Sequence, residues 1–351
     1  MPDPQLPVFE KFAGCLLGTA VGDSVGLPFE GLSPRRVSRM APGPLKQTFC
    51  LGRGMVSDDT DHTVFVAQSL LVAGESPERF RRALQWRLRF WLACLPAGIG
   101  LATLRSILRM WCGLRHPGVY SAGNGPAMRC ALIGVRFCHD SAARTRFLEE
   151  STVLTHTDPK ALLAASAIGE IAARLASGEW SERPDADSLF AAIRGGGHSE
   201  WEEVAAGVRD FCRSGDGFER AAAHWGGRRG ISGYALRSVP FAILAWYRHF
   251  WDFRATIEAC VRGGGDTDTN AAIAGALAGV TVGPEEIPHE WIGRLVDFPH
   301  SPGYLRSLAE GLAGGGAGVR TGFSPWLFPR GILFTTLVLA HGFRRMLPPY
   351  G

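Results

Sequence analysis

Ser57-Asp58-Asp59-Thr60-Asp61 and, far later in the chain, Asp266-Thr267-Asp268-Thr269 decide how this sequence is read. Glycine introduces each run (Gly52-Arg53-Gly54 and Gly263-Gly264-Gly265), and apolar sequence follows each (Val64-Phe65-Val66-Ala67 and Ala271-Ala272-Ile273-Ala274). Both therefore read as helix starts, where unpaired backbone N–H groups and the macrodipole favour carboxylates. One such run alone is a helix cap. If the fold brings the two together, four or five carboxylates share a small volume, and cations must offset their repulsion. The donors are all oxygens: the carboxylates of Asp58, Asp59, Asp266 and Asp268 and the hydroxyls of Ser57 and Thr269. With no histidine or cysteine in the set, the expected ion is a hard one such as Mg²⁺, Mn²⁺ or Ca²⁺, not zinc or copper. Four acids exceed the needs of one ion and suit a pair about 3.5–4 Å apart. Asp23 and Asp61 are candidate supports behind the ligands, although Asp61 taken alone is an ordinary first-turn acid. His62 is read as solvent-facing and stays outside the set.

Helical periodicity dominates the rest, and strand-like alternation is almost absent. Phe12, Cys15, Leu16 and Thr19-Ala20 recur at helical spacing, while Gly14, Gly18 and Gly22 form a second stripe. A glycine inside a helix costs about 1 kcal/mol relative to alanine, so three at this spacing imply close approach of another backbone. Ala271, Gly275 and Gly279 repeat the device. The two helices are expected to pack against one another at the centre. Further helices are expected at 61–73, 77–95, 126–138, 142–154, 159–176, 199–213, 233–250, 252–262 and 302–312, with 195–230 loop-rich around one helix. The fold class is all-α: one domain over 9–300, then an extension over 301–351 packed on or near it. Within the extension, 313–330 is broken by Gly and Pro, and Ile332 to Met346 reads as a terminal helix that serves as structure, docking element or lid.

Composition sets the outer limits. Of 351 residues, 46% are hydrophobic and 20% charged, which is ample for a packed core and unlike a disordered chain. A net charge of +4 from 37 basic and 33 acidic residues is no nucleic-acid footprint. Only Lys11, Lys46 and Lys160 are lysines. With the abundant Ala and Gly, this suggests a GC-rich, bacterial genome. The eight cysteines contain no C-x-x-C pair and read as reduced core residues. Met1 to Pro7 lacks a signal pattern. The apolar run Gly331 to Ala340 is shorter than the about 20 residues a membrane helix needs, so a cytoplasmic protein is expected.

Five blocks then resemble a known family, in its order, over about residues 9–282. The first is Gly14-Cys15-Leu16-Leu17-Gly18-Thr19-Ala20-Val21-Gly22-Asp23 followed by Pro28-Phe29-Glu30. Next come Ser57-Asp58-Asp59-Thr60 and Gly123-Asn124-Gly125-Pro126-Ala127-Met128-Arg129. Thr155-His156-Thr157-Asp158-Pro159 and Gly264-Gly265-Asp266-Thr267-Asp268-Thr269 complete the set. Together they resemble the ADP-ribosylglycohydrolases, the group typified by the dinitrogenase-reductase-activating glycohydrolase. The resemblance implies a compact orthogonal helical bundle with two Mg²⁺ (or Mn²⁺) ions at the floor of a cleft. Ser57, Asp58 and Asp59 would bind metal from one side and Asp266, Asp268 and Thr269 from the other. Glu30 matches a glutamate on a mobile loop that reaches the scissile bond, and Asp59 and Asp268 complete the catalytic candidates.

Ser121-Ala122-Gly123-Asn124-Gly125 precedes a helix expected near Ala127, where backbone N–H groups suit a diphosphate; a plain turn and cap fits equally well. Under the resemblance, Ser121, Gly123, Asn124, Gly125, Met128 and His156 contact ADP-ribose, and Ile231 in the Gly230–Tyr234 loop lines the adenosine side. His156 reads equally as a cap or core residue, and Ser232 equally as a helix cap. Ala122 departs from the family where some members place an aromatic for adenine, leaving Tyr120 or Tyr234 as substitutes. The function implied is hydrolysis at C1″ of ADP-ribose on a modified protein, with arginine the first linkage, ADP-ribose the product and a monomer the working unit. Serine-linked or small-molecule conjugates are the rival substrates, for which Arg237-Ser238-Val239-Pro240 is a faint cue. A protein occluding an ADP-ribosyltransferase toxin, or a calcium-stabilised structural protein, are rivals of another class.

Overall fold

The computed structural model describes residues 6–314 and 318–347. The first five residues of the proline-rich start, and 315–317 and 348–351 of the extension, lie outside the described residues. Among the described residues there are seventeen α-helices and four 3-10 turns, and pairing between extended segments is confined to isolated bridges. The fold is all-α, as its periodicity predicts.

Two helices form its axis, Val8–Gly26 and Thr267–Val282. Each is apolar on all sides, the pattern of a helix enclosed by others, and both are buried along nearly their whole lengths. The glycine stripes meet as expected. A Cβ on Gly14 would lie 2.0 Å from the Gly279 carbonyl oxygen, one on Gly18 2.1 Å from that of Gly275, and one on Gly22 2.1 Å from that of Ala271. Numbers rise along one helix as they fall along the other, so the pair is antiparallel. Lys11 donates to the Val280 carbonyl at 3.1 Å, placing its ammonium at the negative end of the partner helix. At the opposite end Thr267 Oγ1 donates to the Gly26 carbonyl at 2.8 Å. The acidic start of the later helix is thereby fixed beside the end of the first.

Around this axis pack Asp58–Ala73, Pro159–Ala176, Ala235–Arg248, Phe253–Arg262 and Pro302–Leu312. Most expected helices lie within a residue or two of their positions. The segment read as one helix over 126–138 is instead a 3-10 turn, Ala127–Arg129, followed by Ala131–Arg136. The stretch 195–230 holds two helices, Ser199–Arg213 and Phe218–Gly226. Pro34–Met40, Leu101–Trp111 and Ala186–Ile193 were not expected. The longest apolar segment is also not the one read from sequence. Val8–Phe29, 22 residues of hydropathy 1.3, has the length and composition to cross a membrane, and its most apolar 18 residues are wholly buried inside the protein. All eight cysteines are free; Cys15, Cys94, Cys130 and Cys260 are core residues, and Cys112 is exposed.

The glycine contacts are severe enough to test. Gly18→Ala drives a methyl into the opposing backbone, and a loss of at least about 3 kcal/mol is expected in denaturant unfolding. Gly207 sits in Ser199–Arg213 with open space where its Cβ would be. Gly207→Ala is expected to stabilise by about 0.5–1 kcal/mol.

Candidate functional site

The antiparallel axis and the Asp58–Ala73 helix bring two helix N-termini to one place. Ser57 is the N-cap, its Oγ accepting from the Asp59 amide at 3.4 Å. Fully buried Asp23, near the end of the first helix, caps the same turn from outside. Its carboxylate accepts from the amides of Ser57 (2.9 and 3.0 Å) and Thr60 (3.1 Å) and from Thr60 Oγ1 at 2.5 Å. Asp23 thus supports the ligand run through its backbone. Ser57 Oγ also donates to Asp59 Oδ2 at 3.1 Å, and Thr269 Oγ1 donates to that oxygen at 3.2 Å, linking the two acidic runs directly. Asn124 Nδ2 donates to Asp266 Oδ2 at 2.7 Å. The acids that are far apart in sequence do converge.

Asp61 belongs to a different constellation. Two residues along a helix is a turn of about 200°, so Asp61 faces away from Asp59. It accepts from Trp91 Nε1 (2.8 Å), His300 Nδ1 (2.7 Å) and Arg330 (3.2 Å). Arg330 also forks onto Asp297 at 2.9 and 3.2 Å and donates to the Val56 carbonyl. Burial alone would raise the Asp61 carboxyl, but Arg330 and His300 hold it down at about 2. It is a neutralised structural acid, not a support of the cleft.

Four loops frame the cleft through short backbone pairings. Gly31 N–H donates to the Gly265 carbonyl and Gly265 N–H to that of Leu32, both at 2.7 Å. Asp266 N–H donates to the Ile231 carbonyl (2.7 Å), Asn124 N–H to that of Gly233 (2.9 Å) and Ala235 N–H to that of Ala122 (2.9 Å). Gly265 has φ +82° with the Ile231 carbonyl 2.1 Å from where a Cβ would lie, so glycine is required twice over. The cleft, of about 570 Å³, is lined by the acids Glu30, Asp58, Asp266 and Asp268 and by Thr269. Ser121, Gly123, Asn124, Gly125, Met128, His156 and Ile231 line it as well. Ser57 and Asp59 are buried behind the floor. The amides of Ala127 and Met128 are already taken by the Asn124 carbonyl, so the short turn there is not the helical anion cradle read from sequence. Tyr120 and Tyr234, the substitutes for an adenine-stacking aromatic, are not among the lining residues.

Behind the glycine loop lies a polar relay that sequence did not disclose. Arg129 is fully buried without a carboxylate partner. It donates to Ser151 Oγ (3.2 Å), the Ser151 carbonyl (2.7 Å), Thr155 Oγ1 (2.9 Å) and His62 Nδ1 (3.2 Å). A guanidinium only donates, so His62 must accept through Nδ1. Thr155 Oγ1, accepting from Arg129, also lies 2.9 Å from His156 Nδ1, and Nε2 of His156 lies beside Gly123. Burial, and then the Arg129 cation, push His156 down to about 3 and His62 well below its usual range, so both rings are neutral. His62 is therefore buried, not solvent-facing, and edges onto Trp91. Arg229 and the Gly98–Thr103 segment also line the cleft and were missed. The latter opens the Leu101–Trp111 helix, whose buried face is Thr103, Ser106, Ile107 and Met110.

With this geometry in hand, similarity is informative. The chain matches the ADP-ribosylglycohydrolase family over residues 4–321. It belongs to that family. The ADP-ribosyl-[dinitrogen reductase] glycohydrolase of Rhodospirillum rubrum is 26% identical over 302 residues, covering 82% of this chain and 91% of that protein. ADP-ribosylhydrolase ARH3 of Gallus gallus is 28% identical, covering 86% and 93%. ADP-ribosylarginine hydrolase Tri1 of Serratia proteamaculans is 27% identical, covering 88% and 80%. A solved ADP-ribosylglycohydrolase-related protein complex contains a chain superposing with TM-score 0.65 at 26% identity, over 88% of this chain and 98% of that one. The chain is an ADP-ribosylglycohydrolase, a glycosidase acting on ADP-ribose conjugates.

The acids of this glycohydrolase are uncompensated. Desolvation first, then mutual repulsion, raises Asp58, Asp59 and Asp268 well above the carboxylate range, and desolvation raises Asp266. Burial lifts Asp23 to about 6 against its hydrogen bonds. Glu30 opens onto the cleft; partial desolvation, then Asp266, push it to about 7, with Arg345 opposing and cleft water screening part of the effect. A carboxyl raised in the folded state stabilises it below the unfolded value and loses that contribution as pH rises through the folded value. In chelator, the melting temperature is therefore expected to fall between pH 5 and pH 8. Asp61, held at about 2, works oppositely, its contribution fading only as pH drops below about 4. Differential scanning fluorimetry across this range checks both limbs.

Proposed function

We propose that this glycohydrolase cleaves the bond between C1″ of ADP-ribose and an arginine of a modified protein, with two Mg²⁺ (or Mn²⁺) ions held by the converged acids. The observation that carries the reading is the make-up of the cleft lining. It brings carboxylates together with a glycine-rich backbone and the neutral His156 imidazole. The donor set fits hard cations. Among the buried side-chain atoms without a hydrogen-bond partner are Asp59 Oδ1 and Asp268 Oδ1, one from each acidic run. Among the described residues no three such side chains are already closed around a common point, so the fit rests on donor chemistry and these orphaned oxygens. Ser57, Asp58, Asp59, Asp266, Asp268 and Thr269 would hold the ions. When bound, they supply charge to orient the ribose hydroxyls and lower the pKa of a water.

The chain's own groups account for the rest. Asp23 and the Ser57 cap fix Asp58 and Asp59 on one helix start, while Asn124 orients Asp266. Glu30, raised towards neutrality, can pass a proton to the leaving nitrogen or take one from the attacking water as C1″ gains oxocarbenium character. ADP-ribosylarginine hydrolase Tri1 recurs among the relatives, which supports arginine. Serine-linked ADP-ribose is the second reading, because the ADP-ribosylhydrolases among the relatives are not all named for arginine.

Glu30→Gln is expected to lower kcat by about 10²–10³-fold on ADP-ribosyl-arginine peptide while ADP-ribose affinity by calorimetry changes little. Full turnover by that variant removes Glu30 from the reaction. Exhaustive chelation is expected to abolish release and Mg²⁺ to restore it, raising the melting temperature more at pH 8 than at pH 5. Activity persisting without metal, or greater release from a serine-linked peptide, overturns the metal and the arginine assignments respectively.

A further inference from the structure

The helix Leu327–Met346 follows the residues matched to the family, which end at 321, yet two of its side chains reach the segment that carries Glu30. Nε2 of His341 lies 2.9 Å from the Pro28 carbonyl, an acceptor, so that nitrogen carries the proton. Arg345 donates to the Glu30 carbonyl at 2.5 Å, and Arg36 donates back to the Arg345 carbonyl at 3.3 Å. Leu27, Phe49, Met55 and Phe334 form a small apolar cluster separate from the main core, with Leu337 and Val338 packed on it. The ring of Phe49 lies 5.6 Å from Phe334 and 5.5 Å from His341.

We propose that this terminal helix positions Glu30, gripping Pro28–Gly31 from behind through His341 and Arg345. The segment is strung between two fixed objects. In front, Gly31 and Leu32 pair with Gly265 in the loop that opens the second axial helix. Behind stands the terminal helix, itself bolted to the core by Arg330 on Asp61 and Asp297. From Arg330 to Arg345 is a rigid span of about 22 Å, so the buried ion network and the Glu30 backbone are two ends of one strut. Both grips fall on carbonyl oxygens, which sets the backbone and leaves the Glu30 carboxyl free in the cleft. Arg345 and His341 are positioning residues that act through Glu30. The inference rests on the proposed role of Glu30, and its test separates the two.

Arg345→Met and His341→Ala, alone and combined, keep Arg330 and hence the anchor; Arg345→Lys keeps a donor. Hydrogen exchange at the Glu30, Gly31 and Leu32 amides and steady-state turnover on ADP-ribosyl-arginine and ADP-ribosyl-serine peptides are measured in the full chain. The combined variant is expected to speed exchange at these amides by about tenfold and to lower kcat by about tenfold with KM within about twofold. Arg345→Lys is expected to recover most of the loss. Placed on Glu30→Gln, the same pair of substitutions is expected to cost little further turnover, because the group they position is gone. Unchanged exchange overturns the strut whatever the activity, and faster exchange with full turnover overturns its positioning role. Equal losses of turnover in both backgrounds, with a lowered melting temperature, show a merely structural helix. If no peptide is hydrolysed, or Glu30→Gln is fully active, the functional reading fails, while exchange still judges the grip.

Discussion

Two backbones in contact set everything else in this molecule. Where Gly14, Gly18 and Gly22 meet Gly279, Gly275 and Ala271, no side chain separates the axial helices, and their register can slide by no residue without a clash. Close packing of this kind transmits position without compliance. The end of the first helix, with Asp23, is locked against the start of the last axial helix, with Asp266 and Asp268. Asp23 in turn caps the helix that presents Asp58 and Asp59. The site is a consequence of the register, because every acidic group on the floor is referenced to this one contact.

The price of that geometry is charge. The chain builds two acidic assemblies within a few residues of each other and treats them oppositely. Asp61 and Asp297 receive a bidentate arginine, a tryptophan N–H and a histidine. Asp58, Asp59 and Asp268 receive hydroxyls, amides and one another. A buried cluster without its counter-charge is a stability cost, and its place beside a fully compensated one supports the proposed cations. Helical phase makes the division possible: the same first turn points Asp59 towards Thr269 of the second run and Asp61 towards Trp91 and Arg330.

That phase also marks where sequence reading succeeds and where it stops. The axial pair was legible because glycine at four-residue spacing has few other uses in a helix. The convergence of the acidic runs was less directly written, because Asp266–Thr269 opens a striped helix whereas Ser57–Asp61 opens another helix, tied to the first stripe through Asp23. Asp61 was misjudged because the run reads as a single cluster on paper, and only its partner Arg330, in a tail helix far along the chain, assigns it to the interior. His62 was misjudged for a similar reason, its environment being Trp91 and Arg129, neither adjacent in sequence. The helix Leu101–Trp111 was legible in its periodicity and simply missed, with Arg105 and Arg109 outward and Ile107 and Met110 inward. The Ala127 turn was not legible, because it spends its amides on the Asn124 carbonyl.

The relay behind His156 shows how such unreadable residues still govern the cleft. Arg129 cannot accept a hydrogen bond, so it fixes His62 as an acceptor through Nδ1 and occupies one lone pair of Thr155. A histidine on a glycine loop would otherwise exchange tautomers and charge near neutrality. Here burial and a neighbouring fixed cation keep it neutral, and Gly123 and Gly125 leave room for the ring to stand against the loop. The cleft therefore meets a ligand with carboxylates and a neutral imidazole. Both are set from positions that never touch the ligand.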